Sequence, residues 1–437
     1  MSSSFDSQMQ GTPETRVRWL LVWWIALTGA VSYLDRVNLS IAGQRISGEF
    51  HFSQTQLGLV FSAFSVGYGL FQIGGGWAAD RFGPRRVLAF GALWWAVATT
   101  LTTAVPIGVA GALVWFWTVR FLLGMGESVM YPSSNRWVAN WIPIGERGLA
   151  NGIIFAGVGA GAAFTPPVIA TLMQRHGWRA AFWACAAAGL LVGAAWYLLA
   201  RDHPDSHPWV NEAERRRIRE GIKRPSASEG SHIPWATLLQ SKDVWAITFS
   251  YFCYGYVAYI FFTWFFIYLT TVRGLNLKVS SYYATLPFLA MATGSILGGL
   301  ISDGVSRRFG RRWGRCGVAV FGLGGAAAFV AAGSLVQSAT TASIILAGGA
   351  GALYLSQSSY WALSADLGGK SSGSLSGLMN MGAQTGSAIT AALTPVIAQR
   401  FGWNASFLVA AAFCALGGLA WLLVDPDQTL QPSQLRQ

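Results

Sequence analysis

Four ionisable side chains stand inside stretches otherwise written for hydrocarbon. Asp35 and Arg36 are adjacent in "SYLDRVNLS" (32–40), just after the uncharged run "WLLVWWIALTGA" (19–30). Arg120 and Glu127 fall two turns apart in "RFLLGMGESVMY" (120–131), on one helical face with Gly124 and Tyr131. A charge at mid-bilayer costs about 2.5–3.5 kcal/mol on insertion scales. Four unpaired charges would cost on the order of 10 kcal/mol, comparable with the stability of a whole domain. They are expected to meet in one water-accessible chamber between the first and fourth apolar spans. Arginine keeps its proton, and its planar fork grips a carboxylate at two points. A desolvated carboxyl favours its protonated form. Arg36 and Arg120 are therefore expected to bind an anion, and Asp35 and Glu127 to exchange protons. Two acids and two bases sum to zero, so an entering carboxylate leaves a charge that one proton cancels, freeing an arginine from its partner. Asp35 and Arg120 should lie at similar depth, with Glu127 about 10 Å nearer the cytoplasm at 1.5 Å per residue.

The elements that must hold these groups are membrane helices. The chain has 437 residues, 53% hydrophobic and 11% charged, with mean hydropathy +0.42. Soluble domains carry roughly 25% charged residues. Stretches near the length of about 20 residues needed to span a bilayer fall at 19–42, 55–79, 87–104, 109–135, 148–173 and 179–200. Six more follow at 244–270, 281–302, 316–335, 341–364, 374–398 and 403–424. The first run is too long for a cleavable leader and lacks a small-residue cleavage site. Net charge is +12, which in a soluble chain would raise nucleic-acid binding. With the N-terminus in the cytoplasm, however, most of the Lys and Arg fall on the cytoplasmic side, in 81–86, 201–243 and 303–315. That asymmetry follows the positive-inside rule and puts both termini in the cytoplasm, with no nucleic-acid partner expected. Cys185, Cys253, Cys316 and Cys414 show no metal or redox spacing and read as small buried hydrophobes. No metal or cofactor is expected.

The two sets of spans share a pattern. "TPPVIATLMQRHGWRAAF" (165–182) returns as "TPVIAQRFGWNASF" (394–407), and "GWAADRFGPRR" (76–86) returns as "GLISDGVSRRFGRR" (299–312). Gln174 aligns with Gln399 and Asp80 with Asp303 at nearly one offset, the mark of a duplicated six-helix unit. The division is then 1–200, a cytoplasmic linker at 201–243, and 244–437. Within the linker, "NEAERRRIREGIKR" (211–224) reads as a short, solvated surface helix. Asp80, Arg81, Gly83, Arg85 and Arg86 combine a helix-capping acid, a tight turn and basic groups. They are expected to latch helix ends on the cytoplasmic face as a gate. Duplicated membrane halves are a transporter signature, with substrate held between the halves near the midplane.

"GGWAADRFGPRR" (75–86), the twelve spans and the long central loop together resemble the major facilitator superfamily. Within it, "YLDRVNLS" (33–40), "RFLLGMGESVMYPSSNRW" (120–137) and "HPWVNEAERRRI" (207–218) are similar to the anion:cation symporter family. Its members carry galactonate, glucarate, hexuronates and phthalate, and include vesicular sialic-acid and glutamate carriers. The resemblance implies an all-α membrane protein of twelve transmembrane helices in two pseudo-symmetric six-helix bundles. It implies the same roles for Asp35, Arg36, Arg120 and Glu127, and adds Tyr33 and Tyr68 to the substrate pocket. The uncharged second half must supply polar contacts. Tyr354, Gln357, Trp361 and Ser364 share one helical face, and Asn380 sits in the next span, a set suited to a polyol chain or sugar ring. The tyrosines of "SYFCYGYVAYIFFTWFF" (250–266) are expected to pack and to meet the interface rather than bind. Two departures from the family stand out: Pro84 replaces a usually basic loop residue, and "FAGVGAGAAF" (155–164) of the fifth span offers no amide side chain.

The function these features predict is proton-driven import of a sugar acid such as galactonate, glucarate or a hexuronate, by a monomer in a bacterial inner membrane. Uptake of an aromatic or small dicarboxylate such as phthalate or tartrate is the nearest alternative. A drug:proton antiporter is disfavoured because the fifth span lacks the Gly-Pro-rich antiporter pattern. A membrane sensor would need an output domain. An enzyme would need a nucleophile–base pair or metal spacing, and neither is visible.

Overall fold

The structure, a computed structural model, describes residues 13–105, 111–222, 232–265, 268–269, 272–427 and 430. The terminal tails, residues 223–231 of the linker, and the first residues of the expected fourth span lie outside the described residues. The helices are α1 (Val17–Phe50), α2 (Gln54–Phe82), α3 (Pro84–Thr102), α4 (Ala112–Glu127), α5 (Met130–Trp141), α6 (Arg147–Leu199) and α7 (Glu212–Ile222). They continue as α8 (Trp235–Gln240), α9 (Lys242–Thr263), α10 (Leu277–Phe309), α11 (Val318–Leu335), α12 (Ala339–Gly368), α13 (Ser372–Phe401) and α14 (Trp403–Ala420).

Among the described residues, nine helical stretches are long and apolar enough to cross a membrane, and one of them, Ala339–Ala391, runs through two spans. The third span, α3, has only 19 residues. The fourth is divided between α4 and α5. These complete the twelve. Large apolar side chains on the outer faces, such as Leu70, Leu191, Phe321 and Phe401, are exposed as a lipid-facing surface requires. All four cysteines are free and buried.

The internal repeat is a repeat of turns. α6 kinks at Gly177 (φ 80°, ψ 167°), separating the fifth span from the sixth. Gly402 does the same between the eleventh and twelfth with φ 85° and ψ 163°. Gly83 (φ 89°) and Gly310 (φ 87°) are a second matched pair at the second–third and eighth–ninth connections. Positive φ is strained for residues with a Cβ, so glycine marks each turn in both copies. Pro84, the departure noted above, occupies the first position of α3. Its missing N–H costs nothing there.

The halves meet along α2 with α13 and along the fifth-span part of α6 with α10. Glycines set the spacing. A Cβ on Gly76 would meet the Gly373 carbonyl oxygen at 2.1 Å, and one on Gly299 would meet that of Gly148 at 2.3 Å. Backbones this close are what small residues permit in membrane helices.

The linker helix corrects the expectation of a solvated face. Glu214 of α7 is fully buried. It accepts from the Val17 and Arg18 amides at 3.1 and 3.2 Å and from Arg18 Nη1 at 2.9 Å. α1 has no side-chain cap of its own. An acid from the linker therefore satisfies the free amides at its start, where a negative charge also complements the helix dipole.

Candidate functional site

A small cavity lies between the halves, with a volume of about 50 Å³. Its walls include Tyr33, Arg36, Tyr68 and Tyr131 from the first half and Tyr254, Tyr259, Tyr354, Gln357 and Asn380 from the second. A space of this size holds a few waters and no sugar acid, so the conformation is closed down around it. Several wall groups are polar and unmet. Tyr68 Oη, Tyr131 Oη and Gln357 Oε1 have no hydrogen-bond partner among the described residues.

Arg36 is the cavity's charge. α1 continues to Phe50, so Asp35 and Arg36 sit within the helix and not at its end. Arg36 Nε donates to Glu127 Oε2 at 2.8 Å, joining α1 to α4. The guanidinium lies over the rings of Tyr68 and Tyr33, at 4.4 and 4.9 Å from their centroids. Arg36 Nη2 and Glu127 Oε1 are both buried and without a hydrogen-bond partner among the described residues. Part of the fork is thus held by an acid, while Nη2 has no partner among the described residues.

The four ionisable groups do not share this chamber, contrary to expectation. Successive residues on a helix point about 100° apart, so Asp35 faces away from the cavity that Arg36 enters. Its Oδ1 accepts from Thr99 Oγ1 of α3 at 2.9 Å. Arg120 donates through Nη1 to the backbone carbonyl of Asp35 at 3.1 Å, and its guanidinium lies 5.3 Å from the Phe64 ring centroid. Neither Asp35, Arg120 nor Glu127 is part of the cavity wall.

In the second half, Gln357 Nε2 and Trp361 Nε1 both donate to Tyr251 Oη, at 2.8 and 2.9 Å. Trp361 packs against Phe155 and Tyr131, with centroids at 5.0 and 5.9 Å, and supports the wall from behind. Ser364 also lies off the wall, accepting from Asn135 Nδ2 across the halves at 2.9 Å. Asn380 donates to Gln72 Oε1 at 3.0 Å, a second link between the halves. The tyrosine-rich segment packs in the core and does more than that. Tyr251, Tyr254, Gly255, Ala258, Tyr259 and Phe262 all line the cavity. Their spacing is that of one helical face, the signal that could have identified them.

Of the expected latch, Asp80 alone reaches across. It accepts from the Gly373 and Ser374 amides at 2.9 and 2.7 Å and from Ser374 Oγ at 2.6 Å. Arg136 stands 3.5 Å away on its own half and donates to the Gly369 carbonyl at 2.7 Å. Asp303, the repeat partner of Asp80, accepts from the Gly148 and Leu149 amides at 3.0 and 2.7 Å and from Arg315 at 2.7 Å. Each aspartate therefore binds the first amides of a helix in the opposite half, where the dipole favours an acid. Arg147 adds an ion pair with Asp366 at 2.7 Å. Arg81 and Arg86 are exposed. Arg85 does not cross to the second half: its backbone amide donates to Asp202 Oδ1 at the start of the linker and its Nε to the Tyr197 carbonyl, both at 2.8 Å. Gly83 leaves room for Asp202, whose Oδ2 would lie 2.5 Å from a Cβ there.

A family model described as the Major Facilitator Superfamily matches residues 25–382 and 305–437. The chain is 35% identical to a probable sulfoacetate transporter of Cupriavidus necator, over 95% of each chain. It is 30% identical to a hexuronate transporter of Bacillus subtilis, covering 92% of this chain and 93% of that one. Its fold is similar to that of a proton:xylose symporter solved with 6-bromo-6-deoxy-D-glucose bound. That match has TM-score 0.73 at 14% identity, over 95% of this chain and 98% of the other.

Proposed function

The chain belongs to the major facilitator superfamily, and we propose that it is a proton-coupled symporter that imports a small organic anion, a sugar acid of the galactonate, glucarate or hexuronate type. In this reading it is a carrier and not an enzyme. It works as a monomer in a bacterial inner membrane, with both termini and the Asp80 end in the cytoplasm. Residues 1–200 and 244–437 form the two rocking bodies, and 201–243 connects them.

The observation that carries the reading is the partly held fork of Arg36. Its Nε is tied to Glu127 while Nη2 remains unmet at a cavity lined by both halves. A proton on Glu127 discharges that pair and frees Arg36 to take the substrate carboxylate at two points. Gln357, Asn380 and the tyrosine hydroxyls then meet the hydroxyl groups of the acid. Arg120 holds the Asp35 turn in the closed conformation and is the second cation available once the halves move. Asp35 is the proton carrier on the outward side. The paired Asp80 and Asp303 latches keep the cytoplasmic side shut while the pocket loads.

A second substrate class has its own support. A small dianion, carrying a carboxylate beside a sulfonate or a second carboxylate, would meet Arg36 and, once the halves move, Arg120 as a second cation. One relative is a probable sulfoacetate transporter. Uptake of labelled galactonate, glucarate, glucuronate, tartrate, phthalate and sulfoacetate into proteoliposomes separates the two. Stimulation of a sugar acid by an inward proton gradient supports the first, and of sulfoacetate, tartrate or phthalate alone the second. No stimulation of any acid rejects both.

A further inference from the structure

Asp35, Asn38 and Thr99 are buried polar residues, and none of them lines the substrate cavity. Asp35 Oδ1 is met by Thr99, but Oδ2 has no hydrogen-bond partner among the described residues. One turn nearer the outer end, Asn38 is fully buried beside the Cys185 thiol, and its Oδ1 and Nδ2 have no other hydrogen-bond partner among the described residues. Asp35 and Asn38 are three apart on α1 and so share one helical face, which puts the unmet atoms one turn from each other. Buried polar groups are rarely left unmet. A single water answers all three, donating to Asp35 Oδ2 and Asn38 Oδ1 and accepting from Asn38 Nδ2, within the two to four polar contacts such waters make. The other charges acting on Asp35 are Glu127 and Arg120 from the fourth span. Toward the outer end, Thr102 is the last residue of α3 and Thr103 caps it, and Trp183 Nε1 donates to Thr103 Oγ1 at 2.8 Å.

We propose, on the premise that Asp35 carries the coupling proton, that Asn38 and Asp35 hold a water which delivers protons from the outer face by a route apart from the substrate cavity. A proton arriving on this water passes to Asp35 Oδ2, giving the neutral acid and restoring the water. Asn38 is a positioning residue, acting through the water and not on the substrate.

The test uses the full chain in proteoliposomes and whichever of labelled galactonate, glucarate, glucuronate and sulfoacetate the wild type accumulates best. Asn38→Val lowers uphill uptake driven by an external acid pulse by about tenfold or more, the scale on which a positioned proton-transfer group acts. Counterflow, which needs no net proton movement, stays within about twofold. Asn38→Ser, which keeps a hydroxyl and leaves room for water, restores uphill uptake. Uphill uptake by Asn38→Val equal to wild type overturns the proposal. So does loss of both activities in Asn38→Val and Asn38→Ser alike, which marks a merely structural residue. Uptake driven by sodium at fixed pH and lost in Asn38→Val also overturns it, in favour of a cation site. Asp35→Asn run in parallel separates the premise. If it accumulates substrate normally, the coupling role of Asp35 fails. If it is uncoupled while Asn38→Val is normal, only the water route fails.

Discussion

At the scale of single residues, adjacent charges have separate environments. Arg36 meets Glu127 and the cavity, while Asp35 meets Thr99 on the other side of the same helix. Sequence spacing could place all four ionisable groups in the membrane, because their cost there demands a use. It could not pair them, since pairing depends on how α1 and α4 are rotated about their own axes. Replacing Arg36 by Lys is expected to keep the charge but lose the fork held by Glu127 and open to substrate. Half-saturation in counterflow should rise by about tenfold or more, the cost of one charge-assisted hydrogen bond. Tyr251→Phe tests the second half. It removes the acceptor shared by Gln357 and Trp361, leaving buried donors unmet at about 1–3 kcal/mol each. A lowered unfolding temperature in detergent, with weaker substrate affinity, is the expected result.

At the scale of elements, the span pattern was readable because a bilayer admits few backbone solutions. The two glycine turns that recur in each half were readable as a repeat for the same reason: their backbone angles exclude most other residues. Two elements were not readable. The tyrosine face of α9 is apolar enough to pass for packing, and only its neighbours reveal it as a cavity wall. The linker helix α7 looks solvated by composition, yet the single buried acid Glu214 binds the start of α1. Glu214→Ala removes that partner from buried Arg18, which keeps Glu146 at 3.2 Å, and leaves the Val17 and Arg18 amides without their acceptor. A loss of about 1–3 kcal/mol, the cost of leaving buried donors unmet, should appear as earlier proteolysis of the linker and a lower unfolding temperature.

At the scale of the whole molecule, two bodies meet at matched latches. Asp80 and Asp303 each bind the opening amides of a helix across the interface, and Gly76 lets α2 approach α13. Gly76→Val forces these backbones apart without removing any charge. Cysteines placed at the Asp80 end should then label faster with a membrane-impermeant thiol reagent applied from that side, and uphill transport should fall. The central claim is that proton binding at Glu127 releases Arg36 for an anion. Its most direct test is uptake of the best labelled acid into proteoliposomes under an imposed inward proton gradient, comparing wild type with Glu127→Gln. The expected result is accumulation above equilibrium by wild type alone, with counterflow retained in both. Accumulation by Glu127→Gln matching wild type would contradict the claim.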